Sequence, residues 1–129
     1  MATDQKSINE YRNGEVIFHE RDKARSLYII QKGQVRLFLK KGKGFVDIGL
    51  LKTGEVIGEM GFFDKEDPRR SCSASGVGDT ELIEVTYDAF GKLMESISPW
   101  VSTILMTLVD RLAFSNERVK KFESNSVGY

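Results

Sequence analysis

Ile57-Gly58-Glu59-Met60-Gly61-Phe62-Phe63 is followed, after a short charged link, by Pro68-Arg69-Arg70-Ser71-Cys72-Ser73-Ala74, and together they hold the residue types that grip a phosphorylated sugar. Gly58 lets a ligand approach the backbone closely. If the next residues open a short helical turn, the amides near Met60 and Gly61 have no partner within it and can be aimed at an anion. Glu59 can accept from sugar hydroxyls. An arginine farther along can close over the phosphate with a forked, charge-assisted pair. Two adjacent residues compete for that role, Arg69 and Arg70.

Other chemistry has little to stand on. No nucleophile–base pair or carboxylate pair stands out, so catalysis is not expected. His19 is the only histidine, which speaks against a multi-histidine metal site, and no metal is expected. Lys plus Arg and Asp plus Glu each number 19, leaving no net charge and no global basic field; direct nucleic-acid contact is not expected. Cys72 is the only cysteine and reads as a small buried hydrophobe, which fits a reducing, cytoplasmic setting. No apolar run approaches the roughly 18 residues of a membrane span. The basic run Lys40-Lys41-Gly42-Lys43 reads as a solvated hairpin tip.

The elements that must position the grip are mostly strands. From residue 8 to residue 85, short apolar alternations separated by glycine turns predict an antiparallel barrel or sandwich. Leu27-Tyr28-Ile29-Ile30 and Val35-Arg36-Leu37-Phe38-Leu39 flank Gln31-Lys32-Gly33 and predict a hairpin, with the odd-numbered residues of the second arm facing the core. Gly42 and Gly44 bracket a further turn, and Gly54 introduces Val56-Ile57. Cys72, Ala74 and Val77 continue a strand, Gly78-Asp79 turns, and Leu82-Ile83-Glu84-Val85 closes the β part.

Beyond residue 85 the period becomes helical. Thr86 is the expected N-cap of a helix carrying Phe90, Leu93 and Met94, and Ser98-Pro99 opens a second, longer one. On that helix Val101, Ile104, Leu105, Leu108 and Leu112 form a face suited to cover the barrel. Met106, Val109 and Ala113 form another, read as a helix-to-helix contact in a homodimer. The 129 residues fit one domain, residues 1–122, with 123–129 as a tail or the start of a linker.

In order, these features resemble the cyclic nucleotide-binding domain family over roughly residues 8 to 122. The strand pattern is carried by Gly14-Glu15-Val16-Ile17-Phe18, Ser26-Leu27-Tyr28-Ile29-Ile30 and Gly33-Gln34-Val35. The phosphate-binding cassette is carried by Ile57-Gly58-Glu59-Met60-Gly61 and Arg70-Ser71-Cys72. The resemblance implies a mainly β fold, an antiparallel β-roll of about eight strands with a short cassette helix and two closing α-helices. It also implies a regulatory ligand, cyclic AMP or cyclic GMP, with cyclic AMP favoured on the closer likeness to bacterial members.

Carried over by residue, Glu59 bonds the ribose 2′-hydroxyl, the amides near Met60 and Gly61 meet the cyclic phosphate, and Ser71 adds a bond to phosphate or base. Counting forward from the glycine favours Arg69 as the phosphate partner. Counting back from the last strand favours Arg70, and alternation agrees, since it puts the small residues Cys72, Ala74 and Gly76 on the face of Arg70, as is usual in the family. Ser115 and Asn116 fall where bacterial members contact the base. Glu20-Arg21-Asp22 stands where the family usually has a glycine between acidic residues, so a different or strained turn is expected there. The implied function is a sensor domain that transmits ligand occupancy through its closing helices to a dimer partner or to a fused or associated output domain. A ligand-independent dimerisation or interaction module of the same fold is the alternative.

Overall fold

In the computed structural model, the structure describes residues 6–64, 66–108 and 111. It divides into two units, residues 1–90 and 91–129. The first unit is a six-stranded antiparallel assembly: β1 (Lys6–Tyr11), β2 (Val16–Phe18), β3 (Ser26–Lys41), β4 (Gly44–Lys52), β5 (Val56–Ile57) and β6 (Ser73–Thr86), with the one-turn helix α1 (Met60–Phe63) between β5 and β6.

Two long strands organise it. β3 and β6 pair with each other along nearly their whole lengths, from Ser26 opposite Thr86 to Phe38 opposite Ser73. Each offers its other edge to two short strands. β1 and β2 pair with successive halves of β6, while β5 and β4 pair with successive halves of β3. The arrangement is the mainly antiparallel fold expected, with a short helix and C-terminal helices.

The hairpin predicted at Gln31-Lys32-Gly33 does not form, and neither does the turn at Gly78-Asp79. Both segments stay within the paired β3 and β6, whose register shifts between Ile30 and Gln34. Four of the expected strands are therefore halves of two longer ones. Gly33 still needs to be glycine, because its φ is +87° and a Cβ there would lie 2.5 Å from the Asp79 carbonyl oxygen and 2.9 Å from Thr80 Oγ1. The glycine marks a close crossing of two strands rather than a chain reversal.

The core between these strands is built from Phe18, Tyr28, Ile30, Val35, Ile57, Ala74 and Leu82, with Ile30, Val35 and Leu82 fully buried. Phe38 breaks the expected alternation. It is buried although even-numbered, because the register of β3 on β4 shifts between Leu37 and Phe38. Phe45 packs edge-on against its ring at 5.4 Å and the Arg36 guanidinium covers it at 4.3 Å.

The helix α2 (Tyr87–Ser96) starts as expected, with the Ala89 amide donating to Thr86 Oγ1 at 3.1 Å. A third helix, α3, covers residues 99–108. Trp100, Ile104, Leu105 and Leu108 are exposed. Val109, Leu112, Ala113, the tail and the proposed domain boundary at residue 122 lie outside the described residues. No described helix is long and apolar enough to cross a membrane.

Candidate anion-binding site

The segment that follows β5 adopts the expected short helical turn. Gly58 takes a φ of +80° and turns the chain out of the strand, Glu59 is the N-cap residue, and Met60–Phe63 form α1. Aromatic packing anchors the far end of α1. The Phe62 ring lies 4.9 Å from Phe63, 4.8 Å from Phe90 and 6.0 Å from Tyr87. At the near end, the amides of Met60 and Gly61 stand in the first turn, where no helical carbonyl lies four residues back to accept from them. The half-buried Glu59 makes no capping bond with its side chain.

Arg70 meets this turn from the other side of the fold. Its backbone is held at both ends, its amide donating to the Asp22 carbonyl and its carbonyl accepting from the Arg21 amide, each at 2.8 Å. These bonds fix which way the side chain leaves the chain. It points inward and is only 8% exposed. The guanidinium lies over the Phe18 ring at 4.2 Å, with the Tyr28 ring at 5.6 Å, and Nη2 donates to the Ser26 carbonyl at 2.7 Å. Nη1 is buried and has no hydrogen-bond partner. The carboxylates of Asp47 and Asp67 pair with Arg36 and Arg69, and neither neutralises Arg70. A buried unsatisfied donor costs about 1–3 kcal/mol, and more when charged. An anion placed at Nη1 would satisfy both the donor and the charge.

Arg69, one residue away, is different. It is half exposed, and its Nε donates to Asp67 Oδ2 at 3.2 Å. The inward direction of Arg70 agrees with the sequence argument, although Ser71 and Cys72 form a bend and β6 starts only at Ser73. Ser73 and Ser75 are also buried, so both faces of this strand are covered.

The glycines of the cassette are tied to the protein's own side chains. A Cβ on Gly58 would collide with Arg70 Nη1 and approach the Ser26 carbonyl oxygen at 3.2 Å. A Cβ on Gly61 would collide with the Tyr87 hydroxyl. That hydroxyl donates to the Gly58 carbonyl at 2.5 Å. Burial raises the pKa of the Tyr87 hydroxyl above the usual tyrosine value; the Arg70 charge opposes this and the Glu59 charge adds to it, which places all three groups in one electrostatic neighbourhood.

Gly58, Glu59, Met60 and Gly61 are thus consecutive in one turn, and Arg70 reaches Gly58 across the fold. Ser71 is exposed on the bend before β6. Ser115 and Asn116 lie outside the described residues. Tyr87 was not among the expected site residues; its only sequence signal is its place directly after the helix cap Thr86.

Residues 8–97 match the description of the cyclic nucleotide-binding domain, well over half of the chain. The chain belongs to the cyclic nucleotide-binding domain family. It is similar to the cyclic AMP receptor protein of Thermus thermophilus, with 35% identity over 102 residues covering 78% of this chain and 46% of that protein. It is also similar to the cAMP-activated global transcriptional regulator CRP of Salmonella typhimurium, with 29% identity over 114 residues covering 87% of this chain and 53% of that protein. The chain therefore spans about half the length of these curated relatives.

Among solved structures, the halfsite-occupied form of the EAL enzyme Bd1971 aligns with a TM-score of 0.74 and 29% identity, covering 85% of this chain and 97% of that one. Forms of the same enzyme bound to cAMP and to cGMP both align at a TM-score of 0.66. Their identities are 28% and 27%, and they cover 88% and 89% of this chain and 30% of the solved chain.

The turn at Glu20-Arg21-Asp22 is strained, as expected: Arg21 takes a φ of +73°, the one positive value at a non-glycine residue among those described. The turn around it is the one that holds the backbone of Arg70.

Proposed function

We propose that this chain is a cyclic-nucleotide sensor domain that favours cyclic AMP over cyclic GMP and carries no catalysis of its own. One observation carries the reading: a buried, unneutralised guanidinium with an orphaned Nη1 faces a helical turn whose first amides are free of helical partners. In this reading Arg70 takes the cyclic phosphate together with the amides near Met60 and Gly61. Glu59 accepts from the ribose 2′-hydroxyl and Ser71 adds a bond to phosphate or base. Ser115 and Asn116 remain the proposed base contacts. The preference for cyclic AMP is supported by the curated relatives, whose names are those of cAMP-activated regulators.

Ligand charge neutralises Arg70 and stabilises one arrangement of the cassette, shifting a pre-existing equilibrium by the ligand's differential affinity for the two states. The partner that reads the shift is a second copy of the chain or an output domain. The homodimer contact remains the proposed role of Met106, Val109 and Ala113, the last two of which lie outside the described residues.

A thermal-shift and calorimetric titration with both nucleotides tests the reading. Ligand at 100 times its dissociation constant stabilises the fold by about 2.7 kcal/mol. A chain that shifts with neither nucleotide at millimolar concentration is the interaction module instead.

A further inference from the structure

We propose that Tyr87 is a positioning residue of the ligand site, holding the Gly58 carbonyl so that the cassette amides face an anion, and that Gly61 is glycine to admit the Tyr87 hydroxyl. The proposal rests on the cyclic-nucleotide reading and adds to it a residue and a reason.

The geometry has three parts. The Tyr87 hydroxyl donates to the Gly58 carbonyl at 2.5 Å. In a trans peptide the carbonyl and the following N–H point in opposite directions, so fixing the Gly58 carbonyl also fixes the direction of the Glu59 amide at the start of the cassette turn. Gly58 has a φ of +80°, a region that glycine enters about as readily as the ordinary one, so its own backbone sterics do little to select this conformation and the tyrosine bond adds to its definition. The second part is space. A Cβ on Gly61 would overlap the Tyr87 hydroxyl and come within 3.1 Å of its Cζ and 3.2 Å of the Ala24 Cβ. A glycine in this family's cassette is readily understood as room for a ligand; at residue 61 the room is already taken by the tyrosine. The third part is location. Tyr87 is the first residue of α2, so its bond ties the cassette backbone to the start of that helix.

The experiment is a double-mutant cycle of Gly61→Ala and Tyr87→Phe in the full chain, read three ways. Calorimetric titration with cyclic AMP and cyclic GMP gives affinity, thermal melting without ligand gives stability, and amide NMR signals of Glu59, Met60 and Gly61 report the cassette. Tyr87→Phe lowers affinity about five- to tenfold, the equivalent of one hydrogen bond. Gly61→Ala lowers both affinity and ligand-free melting temperature. Because removing the hydroxyl removes the worst overlap, the double variant recovers most of both losses and is no weaker than Tyr87→Phe alone. Ligand-induced shifts of the three amides shrink at saturation in Tyr87→Phe, a change that a tyrosine with only a packing role does not produce.

Losses that simply add in the double variant overturn the assignment of Gly61 to Tyr87. Unchanged affinity and unchanged amide shifts in Tyr87→Phe overturn the positioning role. If wild-type protein binds neither nucleotide, the cyclic-nucleotide reading fails and the positioning role fails with it, while the ligand-free melting cycle still decides whether Gly61 makes room for Tyr87.

Discussion

Arg69 and Arg70 are neighbours in the chain but belong to two different regions of the molecule. Arg69 ends an exposed charged loop and pairs with Asp67, two residues back. Arg70 is tied by its backbone to the turn at Arg21 and Asp22, and its side chain enters an aromatic recess formed by Phe18 and Tyr28. Identical side chains therefore carry opposite energetics. The outer cation is solvated and worth little to stability, as exposed pairs usually are. The inner one has lost water, gained one carbonyl and two rings, and kept one donor unsatisfied. What separates them is which backbone groups the strand and turn hold, more than any difference in local composition.

The largest effect expected from this contrast is on ligand affinity. Arg70→Ala lowers cyclic-nucleotide affinity by about a hundredfold, in line with the roughly 1.5–3 kcal/mol of a hydrogen bond to a charged group. Arg69→Ala changes it by less than about threefold, as expected of an exposed pair. Isothermal titration of the two variants side by side measures the difference, and a larger loss at Arg69 would reverse the whole assignment.

Stability without ligand should run the other way. Arg70→Met replaces an unneutralised buried charge with an apolar chain of similar length, and the ligand-free protein becomes more stable by about 1 kcal/mol. Arg69→Met stays within about 0.5 kcal/mol of wild type. Urea unfolding of both variants checks this. A marked loss of stability in Arg70→Met would mean that the guanidinium is there for the fold and has no tie to an anion.

Much of this was readable in the sequence, and the failures have physical causes. The glycine turns at Gly42 and Gly54, the Thr86 cap and the short cassette helix all depend on local chemistry, and each forms where expected. β1 was not singled out, because Lys6-Ser7-Ile8-Asn9-Glu10-Tyr11 carries only one aliphatic side chain, and Ile8 is itself exposed; pairing with β6 makes it a strand. Gly33 and Gly78 read as turns because positive φ is the same local signal in a turn and at a register shift within long strands. Only the cross-strand partner distinguishes the two. For the cassette, the spacing brought Gly58, Glu59 and Arg70 to one place. The roles of the glycines were not legible, since the atoms that crowd Gly58 and Gly61 come from Arg70 and Tyr87.

The recess around Arg70 also carries a pH signature. Tyr28 is pushed up to about 12, chiefly by burial, with Glu84 and Tyr11 adding and Arg70 opposing. The folded state therefore keeps the Tyr28 proton to higher pH than the unfolded chain, where a tyrosine ionises near 10. Its contribution to stability is complete below about pH 10 and is lost as pH rises from there through about 12. The melting temperature should fall across that window in wild type, and Tyr28→Phe should make the fall shallower. An unchanged slope would place the alkaline sensitivity elsewhere.

The smallest expected effect concerns the turn that holds Arg70 in place. Arg21 occupies the left-handed region at φ +73°, which costs an L-residue about 1–2 kcal/mol. Glycine removes that strain but loses about 0.5–1 kcal/mol more chain entropy on folding. Arg21→Gly should therefore stabilise the ligand-free fold by up to about 1 kcal/mol, measured by urea unfolding. The Arg21 amide that donates to the Arg70 carbonyl is kept in the variant, so ligand affinity should stay within about twofold of wild type. A loss of affinity without a loss of stability would show that the Arg21 side chain takes part in the site. A loss of both would mean that the turn tolerates its strained residue for packing that glycine cannot supply.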